Sequence, residues 1–533
     1  MSASPYSARG GAVGVAAVLV LFASILAASA AVPGGAPPAH AAPKSQAPNI
    51  VVITTDDQTL ASYRPDTMPN VTTQIGAKGT TFTNAIVTTP LCCPSRATWL
   101  TGQYAHNHGV TSNRLGYVAL REKINTLPAW LKRAGYRTVH VGKYLNGYEG
   151  AAVAAGGAPT DVAPGWNLWY TALGTTRYYS YDVSANGRRE HFGQRDDDYI
   201  TRVLNQRAAS YARRLTRGNK PLFMQVDHRA PHTETGIETR GGCQGRSVPD
   251  PDDKQLFKSE PLPQPPSLNE ADISDKPEFL QGRPPLDLNR LKKLQKRYTC
   301  GLAALRSVDR GVGQIAESLK KSGELGNTVF VFTSDNGYYQ GEHRIAVGKI
   351  YPYEEGIRVP FVVRVPPRYL GGAARIPEIS APVANIDLAP TILDLAGATP
   401  CRRPGKCRVM DGRSLVRPLS GSPGGFPSDR ALLTEYDVGN NGTGEDGLCR
   451  YSGVRAPGAI YVEHTLASDP ANGCDPTPER ELYDLIADPF ELENLDGSAD
   501  GLEAELSAHL QRLRDCAGIA GRDPQTQGRP YCE

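Results

Sequence analysis

The feature that most constrains the fold is a series of short, unbroken apolar runs that end at polar or acidic residues. The first is Pro48-Asn-Ile-Val-Val-Ile-Thr-Thr-Asp-Asp57. A strand with one wet face alternates apolar and polar side chains, whereas an unbroken run indicates a strand covered on both faces, as in a parallel sheet between helices. Arg137-Thr-Val-His-Val-Gly142, Pro221-Leu-Phe-Met-Gln-Val-Asp227, Asn327-Thr-Val-Phe-Val-Phe-Thr-Ser334 and Phe361-Val-Val-Arg364 repeat the pattern. Stretches with helical spacing lie between them, at 68–79, 127–134, 198–215 and 288–322. The alternation predicts an α/β fold with a large, mostly parallel or mixed sheet sandwiched by helices. Residues 236–286 are polar, proline-rich and aperiodic, which reads as a long surface insertion framing the entrance to a site.

Beyond about residue 419 the segments shorten and begin to alternate, as in Ala431-Leu-Leu-Thr434 and Ala459-Ile-Tyr-Val462, before a helical stretch near 502–513. This predicts a smaller C-terminal antiparallel α+β subdomain. The expected organisation is therefore a targeting segment and linker at 1–41, a main domain at 45–419 and the subdomain at 420–533. The first part carries Arg9, an apolar run at 13–27 and small-residue sites at 28–30 and 39–41, the pattern of a cleaved export signal. Left uncleaved, the run would be a membrane anchor near the lower length limit; nothing else in the chain is apolar enough to cross a bilayer.

Of ten cysteines, Cys92 and Cys93 are adjacent, and an even number remain. In an exported chain that argues for disulfides. Many pairings are open. Sequence proximity favours Cys401 with Cys407, Cys449 with Cys474 and Cys516 with Cys532, leaving Cys243 with Cys300. The formal net charge of +3 gives no reason to expect a nucleic-acid partner.

Leu91-Cys-Cys-Pro-Ser-Arg-Ala-Thr-Trp-Leu-Thr-Gly102 makes poor sense as packing alone. Neighbouring cysteines sit too close for a relaxed disulfide, and no second Cys-x-x-Cys pair points to zinc. Elsewhere Asp56, Asp57, Asp335 and Asn336 fall at strand ends, where ligands gather in open α/β sheets. All four are oxygen donors suited to a hard cation, calcium in preference to magnesium. A cation between two strand ends would also relieve repulsion among three carboxylates. His106 and His108 read as structural.

Cys92-x-Pro-Ser-Arg96 followed by Thr101-Gly102 resembles the signature of the formylglycine-dependent sulfatases of the alkaline phosphatase superfamily. The resemblance runs from about residue 48 to 495 and includes Asp56-Asp57, Lys143, His232, Asp335-Asn336-Gly337, Lys349 and Leu482-Tyr-Asp-Leu. It implies that Cys92 is oxidised to an aldehyde (3-oxoalanine) by a formylglycine-generating enzyme during maturation. The aldehyde hydrate then attacks the sulfur of a sulfate ester, and sulfate leaves by cleavage of the C–O bond. On the same resemblance, Asp56, Asp57, Cys92, Asp335 and Asn336 surround the metal. Asp335 takes the attacking hydroxyl's proton and Arg96 holds the diol. Lys143, His232 and Lys349 bind sulfate oxygens, with His232 or Lys349 protonating the leaving oxygen.

One position departs from that pattern. Many members carry Gly-Lys-Trp-His, but this chain has Gly142-Lys-Tyr-Leu145, so the base for sulfate release is not supplied there. The Lys-Tyr-Leu-Asn string is similar to the branch of N-acetylglucosamine-6-sulfatases and extracellular heparan endosulfatases, which points to a sulfated sugar, with an aryl sulfate as the other expected substrate. Two rivals stand beside this reading: a phosphonate or phosphate ester hydrolase of the same superfamily, and an inactive exported carbohydrate-binding protein.

Overall fold

The computed structural model describes residues 47–533 apart from 115, 175–176, 235–242, 244–245, 423–425, 439–446, 470–472, 475–476 and 527. The expected targeting segment and linker at 1–41 lie outside the described residues. The first apolar run forms the strand Asn49–Asp56, buried along its whole length. It occupies the middle of a ten-stranded sheet. The strand order is Glu378–Ile379, Thr80–Phe82, Phe361–Arg364, Thr328–Ser334, Asn49–Asp56, Leu222–Pro231, Arg137–Gly142, Leu168–Leu173, Tyr181–Ala185, Arg188–Phe192. From Thr328–Ser334 to Leu168–Leu173 the neighbours are parallel. Antiparallel pairs border them on both sides, so the sheet is mixed.

The unbroken runs act as expected. Successive residues of the central strand enter opposite cores: Ile50 and Val52 pack on one face, Val51 and Ile53 on the other. Phe330 and Phe332 alternate with Val329 and Val331 in the same way. One face is covered by the helix Cys92–Thr101 through Cys93, Ala97, Trp99 and Leu100. The other is covered by the helices Ile200–Leu215 and Leu288–Lys321. Each buried Val, Ile or Leu contributes roughly 1.5–3 kcal/mol, so a charge placed in either register would unseat the strand.

A second, antiparallel sheet joins Leu432–Asp437, Leu448–Ala456, Ala459–Asp469, Gly473–Cys474 and Glu479–Asp484. Leu506, Leu510 and Leu513 of the helix Asp500–Leu513 share its core. That core also takes in Ile345, Tyr351, Tyr353 and Ile357, so the smaller sheet supports the loop that follows the strand Thr328–Ser334.

The segment expected to be a surface insertion is more deeply involved. Leu262 and Leu286 pack with Leu294, Tyr298 and Leu302 of the long helix, and Ser267, Glu270 and Lys276 are buried. Polar composition concealed this because the buried groups are satisfied by partners distant in sequence. The disulfides Cys243–Cys300, Cys401–Cys407 and Cys516–Cys532 form as expected. Cys449 is disulfide-bonded, while the side chain of Cys474 lies outside the described residues. Cys92 and Cys93 are both free thiols.

Candidate active site

Cys92 is the first residue of the helix Cys92–Thr101, with extended Leu91 as the N-cap. Pro94 fits the first turn because an N–H there would have no intrahelical partner. Gly102 ends the helix in the left-handed region, φ 67°, donating to Thr98 O at 2.7 Å. The positive end of the helix therefore faces the strand ends that carry the acids.

Those strand ends converge. Cys92 Sγ lies 3.5 Å from Asp56 Oδ1 and 2.8 Å from Lys349 Nζ. Lys349 also donates to Asp57, and Lys143 donates to Asp56. The backbone N–H of Asp57 donates to Asp335 Oδ1 at 3.2 Å, and Asn336 Nδ2 donates to Asp57 Oδ1 at 2.7 Å. His232 Nε2 is 3.7 Å from Asp57 Oδ2. Asp57 holds a left-handed φ of 67° just past a register shift between Thr54 and Asp56, strain of the kind kept where a site demands it. Gly142 also has a positive φ, 112°; a Cβ there would come 2.0 Å from Asp227 O, so the turn into Lys143 requires glycine.

Arg96 is bound to carboxylates. Its Nε and Nη2 lie 2.9 and 2.8 Å from Asp335 Oδ2, and Nη1 lies 3.4 Å from Asp227 Oδ1. Asp227 is held in turn by His140 Nε2 at 2.9 Å, by Gln225 Nε2 at 2.8 Å and by the Thr54 hydroxyl. Asp227 and His140 were not singled out from the sequence. The available signal was the acid that closes the apolar Leu222 run; in the sheet it lies beside Thr54, within a strand that continues to Pro231.

Burial opposes the charge on Asp56, yet Lys143, His232, Lys349 and Arg96 outweigh it and hold the carboxyl well below the usual range. Asp57 is lowered against burial by Lys349 and His232. Asp335 goes the other way: burial and then the charge of Asp56 push it up to about 6. Burial and Asp56 push the Cys92 thiol up to about 11, so unmodified Cys92 is a poor thiolate nucleophile. Burial drives His232 down to about 4.

The donor set fits a cation. Asp56, Asp57, Cys92 and His232 each offer a ligand atom within 4.8 Å of the others. Asn336 Oδ1 is buried with no hydrogen-bond partner. The two lysine ammonium groups occupy the positions that balance the carboxylates. All nine residues named for the site from sequence thus lie in one contact network, with His232 closer to the acids than its assignment to sulfate implied. Leu145 is buried in the apolar core and offers no proton acceptor, while Asn146 O accepts from Tyr117 N at 2.8 Å. His106 bridges Glu435 and Cys516 O, and His108 bonds Thr98 and Val110, both away from Cys92.

Residues 48–398 match the family described as Sulfatase. The chain is 31% identical over 512 residues to the human N-acetylglucosamine-6-sulfatase, covering 90% of this chain and 87% of that protein. It is 33% identical over 375 residues to a Caenorhabditis elegans homolog of extracellular sulfatase Sulf-1, covering 69% of this chain but only 48% of the relative's length. A solved structure bound to its substrate D-glucosamine-2-N,6-O-disulfate superposes with TM-score 0.67 at 24% identity, covering 87% of this chain and 97% of that one. The phosphonate monoester hydrolase of Agrobacterium radiobacter reaches 0.63 at 21% identity, covering 88% and 95%. The two superpositions, at 24% and 21% identity, establish a shared fold alone.

Proposed function

The chain belongs to the sulfatase family and is a sulfuric ester hydrolase; from that premise we propose that its substrate is a sulfated sugar of the 6-O-sulfated N-acetylglucosamine type, or an aryl sulfate. The observation that carries the proposal is the pair of ammonium groups, Lys143 and Lys349, drawn in against the buried Asp56, Asp57 and Cys92 Sγ. Two ammonium groups beside one attacking atom suit the single negative charge that a sulfate ester spreads over its three terminal oxygens. The Lys143-Tyr-Leu-Asn146 string and the names of the relatives favour the sugar.

The aldehyde that replaces Cys92 Sγ would supply, as its hydrate, the hydroxyl that attacks sulfur, avoiding a sulfated side chain that water must cleave. A calcium ion held by Asp56, Asp57, Asp335 and Asn336 would polarise the ester. Lys143, His232 and Lys349 bind the sulfate oxygens. Asp335 accepts the proton of the attacking hydroxyl, and Arg96, pressed against Asp335, fixes that carboxylate and the hydroxyls beside it. Lys349, which stays protonated, or His232 once the charge of the bound ester has protonated it, returns a proton to the leaving oxygen. Maturation needs a formylglycine-generating enzyme, and the reading places the mature protein outside the cytoplasm, in keeping with relatives named extracellular. No helix among the described residues is long and apolar enough to cross a membrane.

The purified, matured chain should release sulfate from N-acetylglucosamine 6-sulfate and from nitrophenyl sulfate much faster than it releases phosphate from nitrophenyl phosphate. The phosphonate hydrolase fold likeness gives the rival, so a phenylphosphonate ester belongs in the panel. A preference for phosphorus would overturn the substrate assignment.

A further inference from the structure

A second group of metal-ligand side chains lies on the loop that carries Lys349. His343, Glu355 and Glu491 each present a ligand atom within 4.8 Å of the other two. They come from the two ends of that loop and from the segment after the strand Glu479–Asp484.

Acids gathered together do not make a site, but here the ligand atoms are aimed inward at one another: His343 Nε2 and Glu355 Oε2 face each other as a long ion pair, and Glu491 Oε1 is left without a partner. His343 Nε2, Glu355 Oε2 and Glu491 Oε1 are buried and have no hydrogen-bond partner. His343 is 0% exposed and Glu491 1%. Their other polar atoms are committed: His343 Nδ1 faces Glu270 Oε2 at 2.7 Å, Glu355 Oε1 accepts from Ser267 at 3.0 Å, and Glu491 Oε2 accepts from Glu354 N at 2.8 Å. A carboxylate on Nδ1 is the arrangement that orients metal-ligating histidines, since it places the lone pair on Nε2. The ring is further fixed by stacking on Tyr353, centroids 4.4 Å apart. His343 Nε2 and Glu355 Oε2 are 3.6 Å apart. Two ligands at about 2.1 Å in a tetrahedral shell would lie ~3.4 Å apart.

We propose that His343, Glu355 and Glu491 form a second divalent-cation site, distinct from the one beside Cys92. One imidazole and two carboxylates suit zinc, with water in the fourth position, better than calcium. Of the three, Glu355 borders an open cavity of about 580 Å³. The site would clamp both ends of the Lys349 loop to the segment bearing Glu491. Left-handed φ values at His343 (49°) and Arg344 (57°) mark a backbone held in place there. The proposal stands independently of the substrate assigned above.

The test uses the full chain with ZnCl₂ alone as the probe. Crystals of the wild-type protein should show an anomalous zinc peak within bonding distance of His343 Nε2, Glu355 Oε2 and Glu491 Oε1. In calorimetry, Glu491→Gln, which keeps an acceptor for Glu354 N, should bind one zinc fewer than wild type. Glu270→Gln should weaken that site about 10- to 100-fold. Absence of the peak, or equal zinc stoichiometry in wild type and in a folded Glu491→Gln, would overturn the proposal.

Discussion

Lys349 Nζ sits 2.8 Å from Cys92 Sγ while also donating to Asp57, so one ammonium group spans the nucleophile position and the acidic cluster. It reaches there from a loop whose hydrophobic support comes from the C-terminal sheet. The smaller sheet is thereby tied to the chemistry.

Removing that ammonium should be severe. Lys349→Ala is expected to lower kcat for sulfate release by roughly 100- to 10,000-fold, the range of a lost proton donor or charge clamp. Lys349→Arg should recover part of the loss by keeping the charge. Steady-state kinetics on nitrophenyl sulfate measures both, and a Lys349→Ala enzyme within tenfold of wild type would remove Lys349 from the mechanism.

Asp227 carries both Arg96 and His140. Asp227→Ala leaves a buried guanidinium short of a partner and should cost about 3–5 kcal/mol of unfolding free energy, with a fall in kcat as Arg96 shifts. Asp227→Asn should cost less, because an amide oxygen can still accept. Denaturant unfolding and kinetics on both variants check the order.

Both ring nitrogens of His106 face acceptors, Glu435 and the carbonyl of Cys516, so the ring is held as the cation. Burial opposes this, but Glu435 prevails and holds His106 up at about 9. A folded pKa above the unfolded value of about 6.5 contributes stability that is complete below about pH 6.5 and lost as pH rises to about 9. Stability of the wild type should fall across that window by roughly 2–3 kcal/mol more than that of His106→Gln. Parallel slopes in urea unfolding from pH 6 to 9.5 would contradict it.

Cys243–Cys300 ties the segment after Leu222–Pro231 to the long helix across 57 residues. Replacing both cysteines with alanine should lower unfolding free energy by about 4 kcal/mol through the longer unconstrained loop of the unfolded chain. An unchanged denaturation midpoint would show that the bridge adds little.

The main sheet was legible because burial on both faces leaves an unbroken apolar run, as Ile50 to Ile53 demonstrate. The site was legible where strand ends delivered acids next to recognisable motifs: Asp56-Asp57, Cys92 to Arg96 and Asp335-Asn336. Other contributions were not legible. Asp227 and His140 hold Arg96 through contacts far apart in sequence, and His343 meets Glu491 across two sheets' worth of chain. Such polar pairings have no periodicity to betray them. The burial of Ser267, Glu270 and Lys276 was hidden for the same reason, inside a segment whose composition reads as loop.

The most direct measurement is the mass of the peptide containing residue 92 from a preparation that hydrolyses sulfate esters. Loss of the cysteine sulfur with an aldehyde in its place, and no turnover in Cys92→Ala, is the predicted result. An active enzyme that keeps an intact Cys92 thiol, or a Cys92→Ala variant that still turns over, would contradict the account.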